Sequence, residues 1–279
     1  MNLNFLRNRL NRTFYEFIKN KGSTIRRRSF GLPLSMVLTQ MQTKIHIGTS
    51  GWNYDHWKEV FYEKSCPKSD WLKFYAKHFN SIEVNATFYR SMSHKTYETW
   101  REKTPKGFIW SVKANRYITH IKRLKNIAEP LKKFFGELTG LKEKLGAILF
   151  QLPPTLTFEK EVFEVFCSLI PRNKCVAIEA RHPSWVEEKA LSSLKKHNIA
   201  WCISDTAGRY PYLEAATSDF IYIRLHGSKK LYVSEYSENE ISNWAEKIKK
   251  WDVDTYVYFD NDAMGHAPKN ALRLQELLT

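Results

Sequence analysis

Residues 81–87 read SIEVNAT, in which Ile82, Val84 and Ala86 alternate with Glu83, Asn85 and Thr87. Successive side chains of a strand point to opposite faces, so this alternation predicts a β-strand with one apolar face and one polar face. Short apolar runs of the same kind recur at 44–50 (KIHIGTS), 108–114 (FIWSVKA), 145–152 (LGAILFQL), 175–180 (CVAIEA), 200–205 (AWCISD), 220–227 (FIYIRLHG) and 255–261 (TYVYFDN). Segments with helical spacing lie between them, near 69–79, 93–103, 127–143, 158–170, 184–197, 238–251 and 263–278. Residues 206–219 lack that spacing and predict a long loop, either a lid or irregular packing in place of a helix. Parallel strands need crossovers, so eight strand–helix units over residues 44–279 predict a single α/β (β/α)8 TIM barrel. A doubly wound open sheet is the alternative fold.

Barrel active sites lie at the C-terminal ends of the strands. The face packed on helices should be apolar, which sends the polar members of each strand inward. Those members are Glu83 and Asn85, Ser111 and Lys113, Gln151, Glu179 and Arg181, Asp205, Arg224 and His226, and Asp260 or Asn261. Charged groups in a barrel mouth are costly unless paired or used. Glu83, Lys113, Glu179, Asp205 and His226 are therefore candidate catalytic groups. Trp52, Asn85, Tyr89, Gln151, Arg181, Arg224 and Asn261 are candidate substrate-binding groups. The competing expectation is a self-neutralising network in which the acids pair with Lys113, Arg181, Arg224 and His226.

Hydrophobic residues make up 43% of the 279-residue chain, enough for a full core, and no apolar run is long enough to span a membrane. The formal charge is +15, but residues 1–43 carry eight Lys or Arg and one acid, about half of the excess. That segment predicts a basic extension outside the barrel, disordered or partly helical, with Leu3, Leu6, Leu10, Phe14 and Phe17 at helical spacing. It lacks the apolar core of a secretory signal. A targeting segment, a dispensable tail before a start at Met41, and a nucleic-acid or membrane-surface arm all fit its composition. Cys66, Cys167, Cys175 and Cys202 have no zinc-ligand spacing and read as reduced thiols of a cytoplasmic protein, with Cys175 and Cys202 as small core residues. No Walker loop, G-x-G-x-x-G, G-x-S-x-G or H-E-x-x-H occurs, which disfavours nucleotide triphosphate hydrolysis, dinucleotide redox chemistry and serine-hydrolase mechanisms.

GTSGW (Gly48 to Trp52) with Tyr54 and Trp57, EVNATFYR (Glu83 to Arg90), QLPP (Gln151 to Pro154), EARHPSW (Glu179 to Trp185), RLHG (Arg224 to Gly227) and VYFDND (Val257 to Asp262) occur in that order. This set resembles the YecE-like family, also called domain of unknown function 72, from about residue 45 to the C-terminus. The resemblance implies a TIM barrel and a site, with no established reaction. Ala180 stands where many relatives have an aromatic, and Asp260 where Asn is common.

The residues themselves favour an enzyme acting on a phosphate-bearing or other small anionic substrate, nucleic acid included, by acid/base hydrolysis. Lys113, Arg181 and Arg224 would match phosphate oxygens, and Trp52, Tyr54, Phe88, Tyr89 and Trp185 would offer stacking surfaces. A divalent metal on His226, Asp205, Glu179 and Asp260 is the cofactor these side chains permit. It is not favoured, because Arg181 and Arg224 would compete for the carboxylates. Lys113 with a lowered pKa would permit Schiff-base chemistry, although an ion pair between Lys113 and a carboxylate is the preferred expectation. Gly48, Ser50 and Gly51 could cradle an anion or simply make a tight turn. A barrel that binds a ligand or nucleic acid without turnover is the alternative function.

Overall fold

The computed structural model describes residues 43–279. The basic extension, its helical spacing and the question of a start at Met41 lie outside the described residues. Eight strands follow in sequence: β1 (Ile45–Thr49), β2 (Ser81–Val84), β3 (Ile109–Lys113), β4 (Leu145–Gln151), β5 (Val176–Glu179), β6 (Ala200–Asp205), β7 (Phe220–Leu225) and β8 (Asp254–Phe259). The helices are α1 (Trp71–His78), the short α2 (Ala86–Tyr89), α3 (His94–Glu102), α4 (Ala128–Leu138), α5 (Lys160–Ser168), α6 (Glu188–Lys196), α7 (Glu238–Trp251) and α8 (His266–Leu278). The strands are all parallel in the order β1-β8-β7-β6-β5-β4-β3-β2, a TIM-barrel arrangement in which each strand from β2 to β7 neighbours its sequence successor. The open-sheet alternative is excluded by the β1–β8 ladder, Ile45–Thr49 against Thr255–Phe259.

Residues 206–219 contain no helix, as their sequence predicts. They pack on the outer face of β6 instead, where Thr217 Oγ1 accepts from Trp201 N at 2.7 Å and Leu213 O accepts from Trp201 Nε1 at 2.9 Å. No helix among the described residues is long and apolar enough to cross a membrane.

The seam between β1 and β2 has side chains where a strand ladder would be. Asn80 accepts from Ile47 N at 2.9 Å and donates to Ile45 O at 2.8 Å, so one amide substitutes for a strand. The buried Tyr75 hydroxyl accepts from Thr49 N at 2.9 Å and donates to Ser81 O at 3.1 Å. This closure requires glycine at position 48, since a Cβ there would lie 2.1 Å from Ser81 O and 2.7 Å from the Tyr75 hydroxyl. Gly48→Ala should cost about 1–3 kcal/mol, the range for forcing extra volume into packed structure. Urea denaturation checks it, and an unchanged midpoint would show that the seam can open freely.

Between strands and helices lies the larger apolar core, including Trp110, Val112, Ile148, Phe150, Ile178, Trp201 and Ile223. The barrel lumen is smaller and graded. Its lower part holds Ala147, Leu149, Ala177, Cys202, Phe220 and Tyr256. Above them the Tyr258 hydroxyl bonds Ser81 Oγ at 2.6 Å and Ser111 Oγ at 2.8 Å. The parallel register places Glu83 beside Ser111, Gln151 beside Glu179 and Arg224 beside Tyr258, which brings a polar layer above the tyrosines. The four cysteines are free. Cys202 is buried as expected, whereas Cys175 precedes β5 and is exposed, which corrects its expected core placement.

Candidate active site

The centre of the polar layer is Arg224, a fully buried guanidinium on β7. Its Nε donates to Glu83 Oε2 at 3.0 Å and its terminal nitrogens reach Glu83 Oε1 at 2.7 Å, Glu179 Oε2 at 2.6 Å and Asp260 Oδ2 at 3.1 Å. Glu83 also accepts from Tyr222 OH at 2.6 Å and Ser50 Oγ at 2.7 Å. Glu179 accepts from Gln151 Nε2 at 2.7 Å and from Arg181 at 3.2 Å. Burial alone would raise the pKa of Glu179, but Arg224 and Arg181 outweigh it and hold the carboxyl well below its ordinary range. Burial likewise opposes ionisation of Asp260, and Arg224 overcomes it. His226 is fully buried beside them, with Nδ1 2.9 Å from Asp260 Oδ2 and Nε2 3.2 Å from an Arg224 nitrogen.

Lys113 stands apart from this network. Its Nζ has no hydrogen-bond or ion-pair partner among the described residues, so the expected ion pair with a carboxylate is absent. The ammonium lies 4.4 Å from the centroid of the Phe88 ring instead. That ring is held in place because Thr87 Oγ1 donates to Lys113 O at 2.6 Å and Asn115 Nδ2 donates to Thr87 O at 3.1 Å, tying α2 to the end of β3. Burial first, and Arg224 second, lower the pKa of Lys113 from 10.5 to about 8. His120 also meets the Phe88 ring, in an edge contact at 5.0 Å. Burial and then Lys113 depress its pKa to about 4, which leaves it neutral near pH 7. His120 lies in a π-helical turn, Tyr117–Ile121, directly after β3. Sequence periodicity gave no sign of it, since a single π turn has no pattern to read.

Arg181 closes the mouth on the side of β5. Its guanidinium is 14% exposed, stacks 4.4 Å from the Tyr210 ring and approaches Tyr232 OH at 3.5 Å. Tyr210 belongs to the 206–219 loop, so the start of that loop reaches the mouth while its end packs on β6.

Several sequence expectations are placed differently. Asp205 faces away from the lumen, on the side of Trp201 and Ile203, accepting from Tyr236 OH at 2.9 Å and Ala207 N at 3.3 Å. Its neighbours Cys202 and Ser204 hold the inward parity, so the rule that polar residues point inward fails at the last residue of β6. Asn261 is buried against α8, donating to Ser234 O at 3.0 Å and Asn270 Oδ1 at 2.9 Å, and Asp260 takes the place in the mouth. Trp185 is a core residue bonded to Leu156 O at 2.9 Å, which removes it from the stacking surfaces. Ser50 N donates to Phe259 O at 2.9 Å and Gly48 serves the seam, so the turn after β1 is used for barrel closure. Trp52, Asn85 and Tyr89 line a separate cleft between the loops after β1 and β2. Among the suggested metal ligands, Asp205 is on the wrong face and Arg224 stands among Glu179, Asp260 and His226. Among the described residues no group of three or more His, Cys, Asp or Glu side chains is arranged to hold a metal ion.

A family model described as "Protein of unknown function DUF72" matches residues 46–279, which include all eight strands but for the first residue of β1 and every group of the mouth. The chain belongs to the DUF72 family. Similar DUF72-type sequences include the UPF0759 protein YunF of Bacillus subtilis (strain 168), 27% identical over 269 residues, covering 84% of this chain and 94% of YunF. The UPF0759 protein YecE of Escherichia coli O157:H7 is 27% identical over 253 residues, covering 81% of this chain and 89% of YecE. A DUF72 family protein from Thermotoga maritima superposes with a TM-score of 0.77 at 29% identity, over 84% of this chain and 99% of that one. A DUF72 protein from Enterococcus faecalis V583 gives a TM-score of 0.74 at 21% identity, over 84% and 95% of the two chains, a likeness of fold alone. The DUF72 assignment thus agrees with the family resemblance of the sequence motifs.

Proposed function

We propose that the barrel mouth is an enzyme active site for a small anionic carbonyl compound, with Lys113 as the covalent nucleophile. The observation that carries this is the Lys113 amine, almost buried, without a partner and with its pKa lowered to about 8. At pH 7 a group with that pKa is about one-tenth free base, against well under one-thousandth for an ordinary lysine. Its lone pair would attack the carbonyl carbon. The carbonyl oxygen would leave as water, and the resulting imine would act as an electron sink for cleavage or proton removal at the adjacent carbon. Arg181 and the Tyr210 and Tyr232 rings around it would hold a carboxylate or phosphate of the same molecule.

Acid/base hydrolysis of a phosphate-bearing substrate, nucleic acid included, requires a base with a free lone pair. Glu83, Glu179 and His226 each have Arg224 at hydrogen-bond distance, which weakens them in that role. Arg224 would then organise the site without touching the substrate.

Borohydride trapping tests the assignment. With pyruvate, glyoxylate or dihydroxyacetone phosphate, wild-type protein should gain the mass of a reduced adduct on Lys113, and trapping should rise with pH up to about 8. Lys113→Arg keeps the charge and should abolish it. No adduct with any of these probes, or an adduct that persists in Lys113→Arg, would refute Lys113 as the nucleophile.

A further inference from the structure

A cleft of about 700 Å³ opens between the loops after β1 and β2 and the start of α3. None of Lys113, Gln151, Glu179, Arg181 and Arg224 lines it, so it is distinct from the mouth. Its size lies within the range of small-molecule sites. Its walls hold four aromatic rings, Trp52, Tyr54, Tyr89 and Trp100, that serve different purposes. Trp100 stacks on Trp110 at 5.3 Å and 9°, and Trp52 meets both edge-on at 5.6 Å, which fixes the two lining indoles in position. Tyr89 is 73% exposed and is not needed for packing.

Several polar groups of the cleft are free to bond a ligand. Among the described residues, the indole N–H groups of Trp52 and Trp100, the Asn53 amide, the Tyr89 and Ser91 hydroxyls and the Arg90 guanidinium make no hydrogen bond to protein. By contrast Tyr54, on the same wall, donates its hydroxyl to Ser50 O at 2.7 Å, and Ser93 caps α3 through Thr96 N. No carboxylate lines the cleft.

We propose that this cleft binds a neutral sugar. A pyranose presents axial C–H groups on one face and hydroxyls around its edge. The C–H face suits the electron-rich face of a fixed indole or an exposed tyrosine ring. Each edge hydroxyl both donates and accepts, which suits a wall that mixes indole donors, an amide and hydroxyls. A flat nucleobase would use few of these groups, and an anion would find only Arg90. The site is independent of imine chemistry at Lys113 and stands if that chemistry fails.

The full chain, titrated with methyl glucosides, methyl galactosides, cellobiose, maltose and N-acetylglucosamine at millimolar concentration, provides the test. Saturation-transfer NMR should show at least one of these probes binding through its ring protons. The indole N–H signals of Trp52 and Trp100, assigned with single Trp→Phe variants, should shift on binding. Tyr89→Ala and Asn53→Ala are exposed changes that leave the fold intact. Each should weaken binding about fivefold to tenfold, the loss of one ring face or one hydrogen-bonding group. The proposal fails if no sugar binds, if adenosine or uridine binds in place of sugars, or if binding is unchanged in both variants.

Discussion

Arg224→Met should destabilise the barrel by about 3–5 kcal/mol at pH 7, the magnitude for removing one member of a buried charge network. In a domain of this size that is a fall in Tm of roughly 10 °C. The cause is what remains behind. Glu83 and Glu179 are almost completely inaccessible to water, and Arg224 is the cation that touches both, as well as Asp260. Without it, the charge on Glu179 is supported by Arg181 and Gln151, with His226 nearby, and that on Glu83 by the neutral donors Tyr222 and Ser50. The sign of the pH effect follows. In the native protein, the carboxyls of Glu179 and Asp260 are held below their ordinary values, so their contribution is present above the unfolded pKa and is lost as pH falls through the folded value. In the variant that depression is removed and protonation relieves the burial, so the gap between variant and wild type should narrow as pH falls from 7 towards 5. Glu83→Gln in the Arg224→Met background should recover part of the loss. Urea denaturation across that pH range and the double-mutant cycle would check both points. Equal stability of Arg224→Met and wild type at pH 7 would mean that the carboxylates are not charged and buried as described.

The network also shows why parts of the site were legible in sequence and parts were not. Glu83 and Arg224 stand inside strands and Lys113, Gln151 and Glu179 are the last residues of β3, β4 and β5, where the two-residue period still fixes the face and the apolar alternates identify which face is outside. Tyr222, the missed donor to Glu83, has the same parity as Arg224 and was open to the same reasoning. It was hidden because an aromatic residue on a strand also reads as core. Asp205 and Asn261 fail for a different reason. On the outer face at the C-terminal ends of β6 and β8 they meet polar groups, Tyr236 OH at Asp205 and Ser234 O and Asn270 Oδ1 at Asn261, instead of an apolar layer. Polar character there does not decide direction. Trp52 is in a turn and Tyr89 ends the four-residue α2, neither long enough to show a period, so the sequence could suggest aromatic binding groups but could not divide them between the mouth and the neighbouring cleft. His120 depends on a local π turn, and the partnerless state of Lys113 depends on how Arg224 divides three carboxylates. Neither property belongs to a single strand.

That division has a measurable consequence at Lys113. Because Arg224 engages Glu83, Glu179 and Asp260, the buried Lys113 ammonium is left without a hydrogen-bond or ion-pair partner among the described residues and lies against the Phe88 ring. A cation–π contact contributes about 0.5–2 kcal/mol. A lowering of the lysine pKa from 10.5 to about 8 corresponds to a cost of about 3 kcal/mol while the group is charged. Lys113→Met, close in shape and without charge, should therefore raise stability by about 2–3 kcal/mol at pH 7. Between pH 8 and about 10.5 the unfolded chain keeps a proton that the native amine has lost, so wild-type stability gains with rising pH in that window. The advantage of the variant should shrink across it and nearly vanish at its upper end. Denaturation curves at pH 7 and pH 10 would measure this, and a destabilised Lys113→Met at pH 7 would overturn the assignment of a costly buried charge. The same substitution removes the nucleophile, so imine trapping should be lost in a protein that is more stable than the wild type. A purely structural lysine predicts the opposite change in stability, whereas a group held in an unfavourable state for its reactivity predicts both results together.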